Sequence, residues 1–192
     1  MVEPRRTSKM EKPGVRLDAA SVAGQTGLFR MNREILIAQF DRLLPLAAKW
    51  AVAVETRILR RGVPLTEESL ADARLIGVRE PERVRLLALA RVPVPKDLTL
   101  RAAAAAIQFL TPTTCGLALR YGIFIRRDCW GDRRLVAHEL VHTAQYERLG
   151  GIEPFLRQYL YQCLTIGYPE APMEQEAIVA LSRLELDRNP SA

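Results

Sequence analysis

Histidine is nearly missing from this chain: among 192 residues only His138 and His142 carry an imidazole, four positions apart. Lysine is also rare, confined to Lys9, Lys12, Lys49 and Lys96, so the net charge of +6 rests on arginine. Aromatics make up 6% of the chain and are not interleaved with any dense basic run. A pI near 9.6 without a basic stripe argues against a nucleic-acid-binding protein, because scattered charge alone builds no phosphate-tracking surface. A basic adaptor for nucleic acid or a membrane surface is the weaker alternative. Long apolar runs are missing too. The most apolar stretch, residues 33–61, is interrupted by Asp41, Arg42, Pro45 and Lys49. Charges at mid-span cost about 2.5–3.5 kcal/mol each, which excludes a membrane span there. No N-terminal stretch joins a basic end to an apolar run and a small-residue cleavage site, the pattern of an export signal. Cysteine is limited to Cys115, Cys129 and Cys163, with no C-x-x-C spacing. An odd count without an export signal predicts three unpaired thiols, no disulfide framework and a reducing, cytoplasmic setting.

What is present is enough for one core. Hydrophobic residues make up 48% of the chain and mean hydropathy is −0.04, as in a globular protein. Residues 1–30, rich in Arg, Lys, Pro, Gly and Ser, bury too little apolar surface to offset chain entropy and read as a disordered basic arm. Residues 31–192 read as a single domain without internal repeats.

Helical periodicity covers 33–61, where Ile35, Leu36, Phe40, Leu43, Leu44, Ala47, Ala51 and Val54 recur, and Pro45 should kink or divide it. Thr66 is an N-cap for a helix that stops at Gly77. Residues 82–92 read as a strand, from alternation through Val84, Leu86 and Ala88 ahead of Pro93 and Pro95, with a helix the alternative that their Leu and Ala richness allows. Asp97 or Thr99 opens a helix over about 98–110. Gly116–Arg120 and Ile123–Arg127 form two short strands joined tightly through Tyr121-Gly122. Further helices are predicted over about 132–149, ended by Gly150-Gly151, over 153–166, and over 172–187 from Pro172.

The two histidines fall on the first of these last three helices, in His138-Glu139-Leu140-Val141-His142. Residues four apart share a helical face about 5–6 Å apart at Cβ, so both imidazoles reach one metal ion. Glu139, on the same turn, is placed to act on a water at the metal. Apolar neighbours Leu135, Val136, Leu140 and Val141 imply a mostly buried helix, whose polar face then needs partners; a metal supplies them most simply. Two histidines do not complete a zinc site. With no third histidine in the chain, the remaining protein ligand must be a carboxylate or a thiolate.

On these residues the chain resembles the gluzincin side of the HExxH zinc metalloproteases, in particular its short bacterial members. The likeness spans roughly residues 83–185. A hairpin like Gly116–Arg127 precedes the motif helix, the motif reads His138-Glu139-Leu140-Val141-His142, and a Pro-x-Glu-x-Glu-Ala segment follows at Pro172–Ala177. The resemblance implies an α+β, mainly helical domain, with a small antiparallel sheet packed on the HExxH helix and a following glutamate-bearing helix. It implies Zn2+ as cofactor and hydrolysis of a peptide or protein substrate, with Glu139 as general base. Families of this clan write the last ligand as E-x-x-A-D, which places Glu174 on the metal; Glu176 is the alternative, as ligand or as partner of a ligating histidine. The family's Asp, which orients a ligating histidine, is replaced here by Ile178. A donor for the oxyanion is also implied, with Tyr168 the first candidate and Tyr161 and Tyr159 behind it. In such enzymes the strand before the motif helix pairs with the substrate, a role that falls to Ile123–Arg127, and Arg126 and Arg127 would favour acidic substrates. A non-catalytic, zinc-stabilised peptide- or protein-binding module is the main rival.

Overall fold

The computed structural model describes residues 33–107 and 110–188. The expected basic arm at 1–30 lies outside the described residues. A short helical lead-in at 33–38 is followed by α1 (Phe40–Arg61), β1 (Val63–Pro64), α2 (Glu67–Ile76), β2 (Arg85–Leu89) and α3 (Leu98–Ala106). Then come β3 (Gly116–Leu119), β4 (Gly122–Arg126), α4 (Arg133–Leu149), α5 (Ile152–Thr165) and α6 (Pro172–Arg188). The class is α+β and mainly helical, as expected.

The four strands form one sheet in the order β1-β2-β4-β3. The pairings β1/β2 and β3/β4 are antiparallel, whereas β2 and β4 run parallel with Leu86 opposite Ile123. The sheet is therefore mixed rather than wholly antiparallel. A parallel neighbour needs a long crossover, and the stretch containing α3 provides it. The inner strand β4 is buried accordingly, with Ile123, Phe124 and Ile125 each fully enclosed.

Local sequence explains most boundaries. Thr66 caps α2 by accepting the Ser69 N–H at 3.2 Å, and Gly77 ends it with φ of 95°. Asp132 caps α4 by accepting the Leu135 N–H at 3.1 Å, and Gly150 ends it with φ of 90°. Pro45 does not divide α1; the break falls at Gln39 instead. Pro45 sits near the helix start, and the carbonyl it orphans belongs to exposed Asp41, where water can replace the lost donor.

Two clamps fix the β3–β4 hairpin. Its turn, at Arg120-Tyr121, places Arg120 at φ of 56°. Buried Glu55 of α1 accepts the Arg120 Nε–H at 2.9 Å and the Tyr121 N–H at 3.3 Å. From the other side, the Thr143 hydroxyl of α4 donates to the Arg120 carbonyl at 2.8 Å. The hairpin is thus held against the helix that carries the two histidines.

The expectation of three unpaired thiols is corrected. Cys115 and Cys129 form a disulfide with Cα atoms 6.0 Å apart, leaving buried Cys163 as the free thiol. The hairpin brings this about: the Arg126 N–H donates to the Cys115 carbonyl at 2.7 Å, folding the segment after β4 back beside the one before β3. A separation of 14 residues gave no hint of it. The reducing setting inferred from isolated thiols loses that support. Among the described residues, no helix is long and apolar enough to cross a membrane.

Candidate metal centre

Helix α4 is buried on nearly every side, and its buried residues include five polar ones: Glu139, His142, Thr143, Gln145 and Glu147. Such groups need partners, because an unpaired buried donor or acceptor costs about 1–3 kcal/mol. Thr143 is satisfied by Arg120. Glu147 accepts the Arg79 N–H at 2.6 Å, the Glu80 N–H at 3.0 Å and the Tyr121 hydroxyl at 3.1 Å. The other three belong to one site, facing α5 and α6.

His138, His142 and Glu174 converge there. The two Nε2 atoms are 3.2 Å apart. Glu174, only 2% exposed, brings Oε1 to 3.2 Å from His142 Nε2 and Oε2 to 3.3 Å from His138 Nε2. Four ligands at the usual zinc–nitrogen and zinc–oxygen distances span a tetrahedral edge of about 3.3–3.4 Å. The spacing therefore fits a metal ion of that size. The hydrogen-bond inventory agrees. His142 Nδ1 lies 2.9 Å from Gln145 Oε1, so a neutral His142 donates from Nδ1 and turns a bare Nε2 toward another nitrogen and two carboxylate oxygens. A cluster of acceptors facing one another requires a cation among them, proton or metal.

The electrostatics follow from this geometry. Burial works against charging His142, but the hydrogen bond and field of Glu174 and the field of Glu139 outweigh it and raise its pKa. For Glu174, burial is likewise outweighed by both histidines, which hold its carboxyl far below the usual carboxylate range. Tyr159 of α5 donates its hydroxyl to Glu174 Oε1 at 2.5 Å. Burial and the neighbouring Glu174 keep that phenol protonated. Glu139 sits under the site with its proton affinity raised by burial; both histidines oppose the rise, as does the Ala118 N–H that bonds to it. Cys163 lies in the same cavity wall, where burial pushes its thiol up to about 12, and its sulfur is not among the ligand atoms that converge with the histidines.

Of the two glutamates, the structure brings Glu174 and not Glu176 together with the histidines. Glu176 points away from the histidines and accepts both guanidinium N–H groups of Arg148, at 2.6 and 2.8 Å. Ile178, at the position that the resembled pattern gives to an orienting Asp, is 42% exposed. The partner of His142 is Gln145, which reading the sequence alone missed. The available signal was its position on α4, three residues beyond His142 and therefore on the same helical face.

The centre opens into a cavity of about 500 Å³ whose walls include Trp50, Leu117, Leu135, Tyr168 and Arg134. Tyr168 stands at its rim, 63% exposed, with partial burial and the charges of Glu174 and Glu139 keeping the phenol protonated. Tyr161 lies elsewhere, edge-on to Phe40 at 5.7 Å between centroids. The strand expected to receive a peptide is corrected: β4 is paired on both sides, the edge strands are β1 and β3, and β3 is the one beside α4. Arg126 is engaged by Asp128 at 2.6 Å and by the Pro112 carbonyl at 2.9 Å. The arginine lining the cavity is Arg134, one helical turn ahead of His138.

The register shows what the β3 edge offers. Cys115 bonds toward β4, so Leu117 and Leu119 do as well, while Gly116 and Ala118 turn their peptide groups outward. Ala118 is already used, its N–H by Glu139 and its carbonyl by the Tyr146 hydroxyl at 3.3 Å. Gly116 remains open beside Glu139. No family model matches the chain, and neither does any curated protein or solved structure.

Proposed function

We propose that this chain is a zinc-dependent peptide hydrolase of the metalloendopeptidase type. The observation that carries the reading is the meeting, in one cavity, of three metal-ligand side chains, a buried carboxyl at Glu139 and an open strand edge at Gly116. His138, His142 and Glu174 would hold the ion. When bound, zinc supplies Lewis acidity at a scissile carbonyl and a water whose pKa falls toward about 7.

The remaining work belongs to the protein. Gly116 pairs with the backbone of an extended peptide by strand addition and fixes the scissile bond beside α4. Glu139 accepts a proton from the attacking water and delivers it to the leaving nitrogen. Burial, which raises its proton affinity, suits it to hold that proton between the two transfers. At the rim, the protonated Tyr168 donates to the developing oxyanion. The apolar walls formed by Trp50 and Leu117 limit competing water near the reacting atoms.

The test is cleavage of a broad peptide library by wild type and Glu139→Gln, with zinc content measured on both. The expected result is equal zinc and a turnover lower by about 10²–10⁴-fold in the variant. Equal cleavage by the two proteins would refute the catalytic role. Zinc in both without cleavage by either would favour a zinc-stabilised peptide-binding module.

A further inference from the structure

We infer that Gln145 is the positioning residue of the metal centre, setting His142 and the helix start that carries Glu174 at the same time. This rests on the metal-binding reading above but adds a residue and a relay to it. Gln145 is fully buried. One end of its amide meets His142 Nδ1 at 2.9 Å; the other meets the Met173 carbonyl at 2.9 Å and Glu176 Oε2 at 3.1 Å. Both of the latter are acceptors, so that end must be the NH₂ group and the end at His142 must be the carbonyl oxygen. The orientation is dictated by chemistry. It makes His142 a donor at Nδ1 and leaves Nε2 as a lone pair directed at the metal position.

Only an amide of this length serves both sides. A carboxylate would accept from His142 equally well, but would face the Met173 carbonyl and the Glu176 carboxylate with no proton to give. Asparagine is one methylene too short. The second N–H has its own consequence: it holds the carbonyl of Met173, the residue before Glu174, in the first turn of α6. Thus one side chain ties a ligand on α4 to a ligand on α6. Glu176 and Arg148 complete the relay, since the Arg148 guanidinium donates to the Glu176 carboxylate at 2.6 and 2.8 Å and so fixes the oxygen that faces Gln145. The relay runs from a half-exposed ion pair to the metal position.

Zinc affinity, measured by competition with a chromophoric chelator on the full chain, tests this, alongside the visible absorption of the cobalt-substituted protein. Gln145→Leu should bind zinc about 10–100-fold more weakly than wild type and alter the cobalt spectrum. Glu176→Ala, at a half-exposed position that leaves the core intact, should weaken zinc by roughly tenfold, whereas Glu174→Ala should abolish stoichiometric binding. Replacing Glu176 by Gln in a Gln145→Glu background should recover part of what Gln145→Glu loses, because the new amide can donate to the new carboxylate. Zinc affinity and cobalt spectrum unchanged in both Gln145→Leu and Glu176→Ala would overturn the inference while leaving the metal site standing. If Gln145→Leu does not fold, an unchanged Glu176→Ala overturns it alone. A folded wild type that binds no zinc would overturn both this and the reading beneath it.

Discussion

Gly116 separates catalysis from metal binding with a single methyl group. It lies on an edge strand of the sheet with no unusual backbone angle, so alanine suits its conformation. Space is the obstacle. A Cβ added there would lie 2.9 Å from both Glu139 Cδ and Leu135 Cδ1, and closer still to a Glu139 carboxylate oxygen. Ordinary carbon contacts begin at about 3.5 Å, so the carboxyl group has to retreat by roughly 0.5–1 Å. Both obstructing groups are side-chain ends that can turn, which puts the stability cost at about 1 kcal/mol, the low end for overpacking. Catalysis is less forgiving, since misplacing a reacting group by about 1 Å costs on the order of 10²-fold. The ligands His138, His142 and Glu174 are not among the atoms displaced. Gly116→Ala should therefore lower kcat by about 10–100-fold while zinc affinity stays within about threefold of wild type. Steady-state kinetics on a cleaved library peptide, with chelator competition on the same samples, reads both quantities. Wild-type turnover in Gly116→Ala would refute the placement of Glu139 against the β3 edge.

Two further outcomes follow from hydrogen bonds around α4. Tyr159→Phe keeps the ring packing but removes the hydroxyl that Glu174 accepts at 2.5 Å. It should weaken zinc by about tenfold in chelator competition with the fold retained. Glu147→Ala strips the acceptor from the Arg79 and Glu80 amides on the far side of the helix. It should cost about 2–4 kcal/mol, seen as a Tm lower by roughly 5–15 °C, and leave zinc affinity unchanged.

The sequence was most legible where the controlling interactions are local. The α4 boundaries follow from Asp132 and Gly150-Gly151, and the β3–β4 hairpin from alternation around a tight turn. The pairing of His138 with His142 needs only helical spacing, and the structure brings both to Glu174, the glutamate that the family pattern puts first. Long-range features were not legible. Cys115 and Cys129 look isolated until antiparallel pairing folds one beside the other. The parallel β2/β4 pairing depends on where the crossover lands, which leaves an open edge on β3 rather than on the strand nearer the motif. Gln145 reads as one more polar residue in a helix, because its meaning lies in Met173 and Glu176 on another helix. Ile178 departs from the resembled pattern, but the side chain that meets His142 Nδ1 is Gln145, on the same helix as the histidine.

Metal content measured by mass spectrometry on folded, full-length protein bears most directly on the central claim. One zinc per chain is expected in wild type, lost in His138→Ala and in Glu174→Ala and present in zinc-replete Glu176→Ala. A folded wild type that holds no zinc in zinc-replete buffer would contradict it, and stoichiometric zinc in Glu174→Ala with none in Glu176→Ala would move the site to the other glutamate.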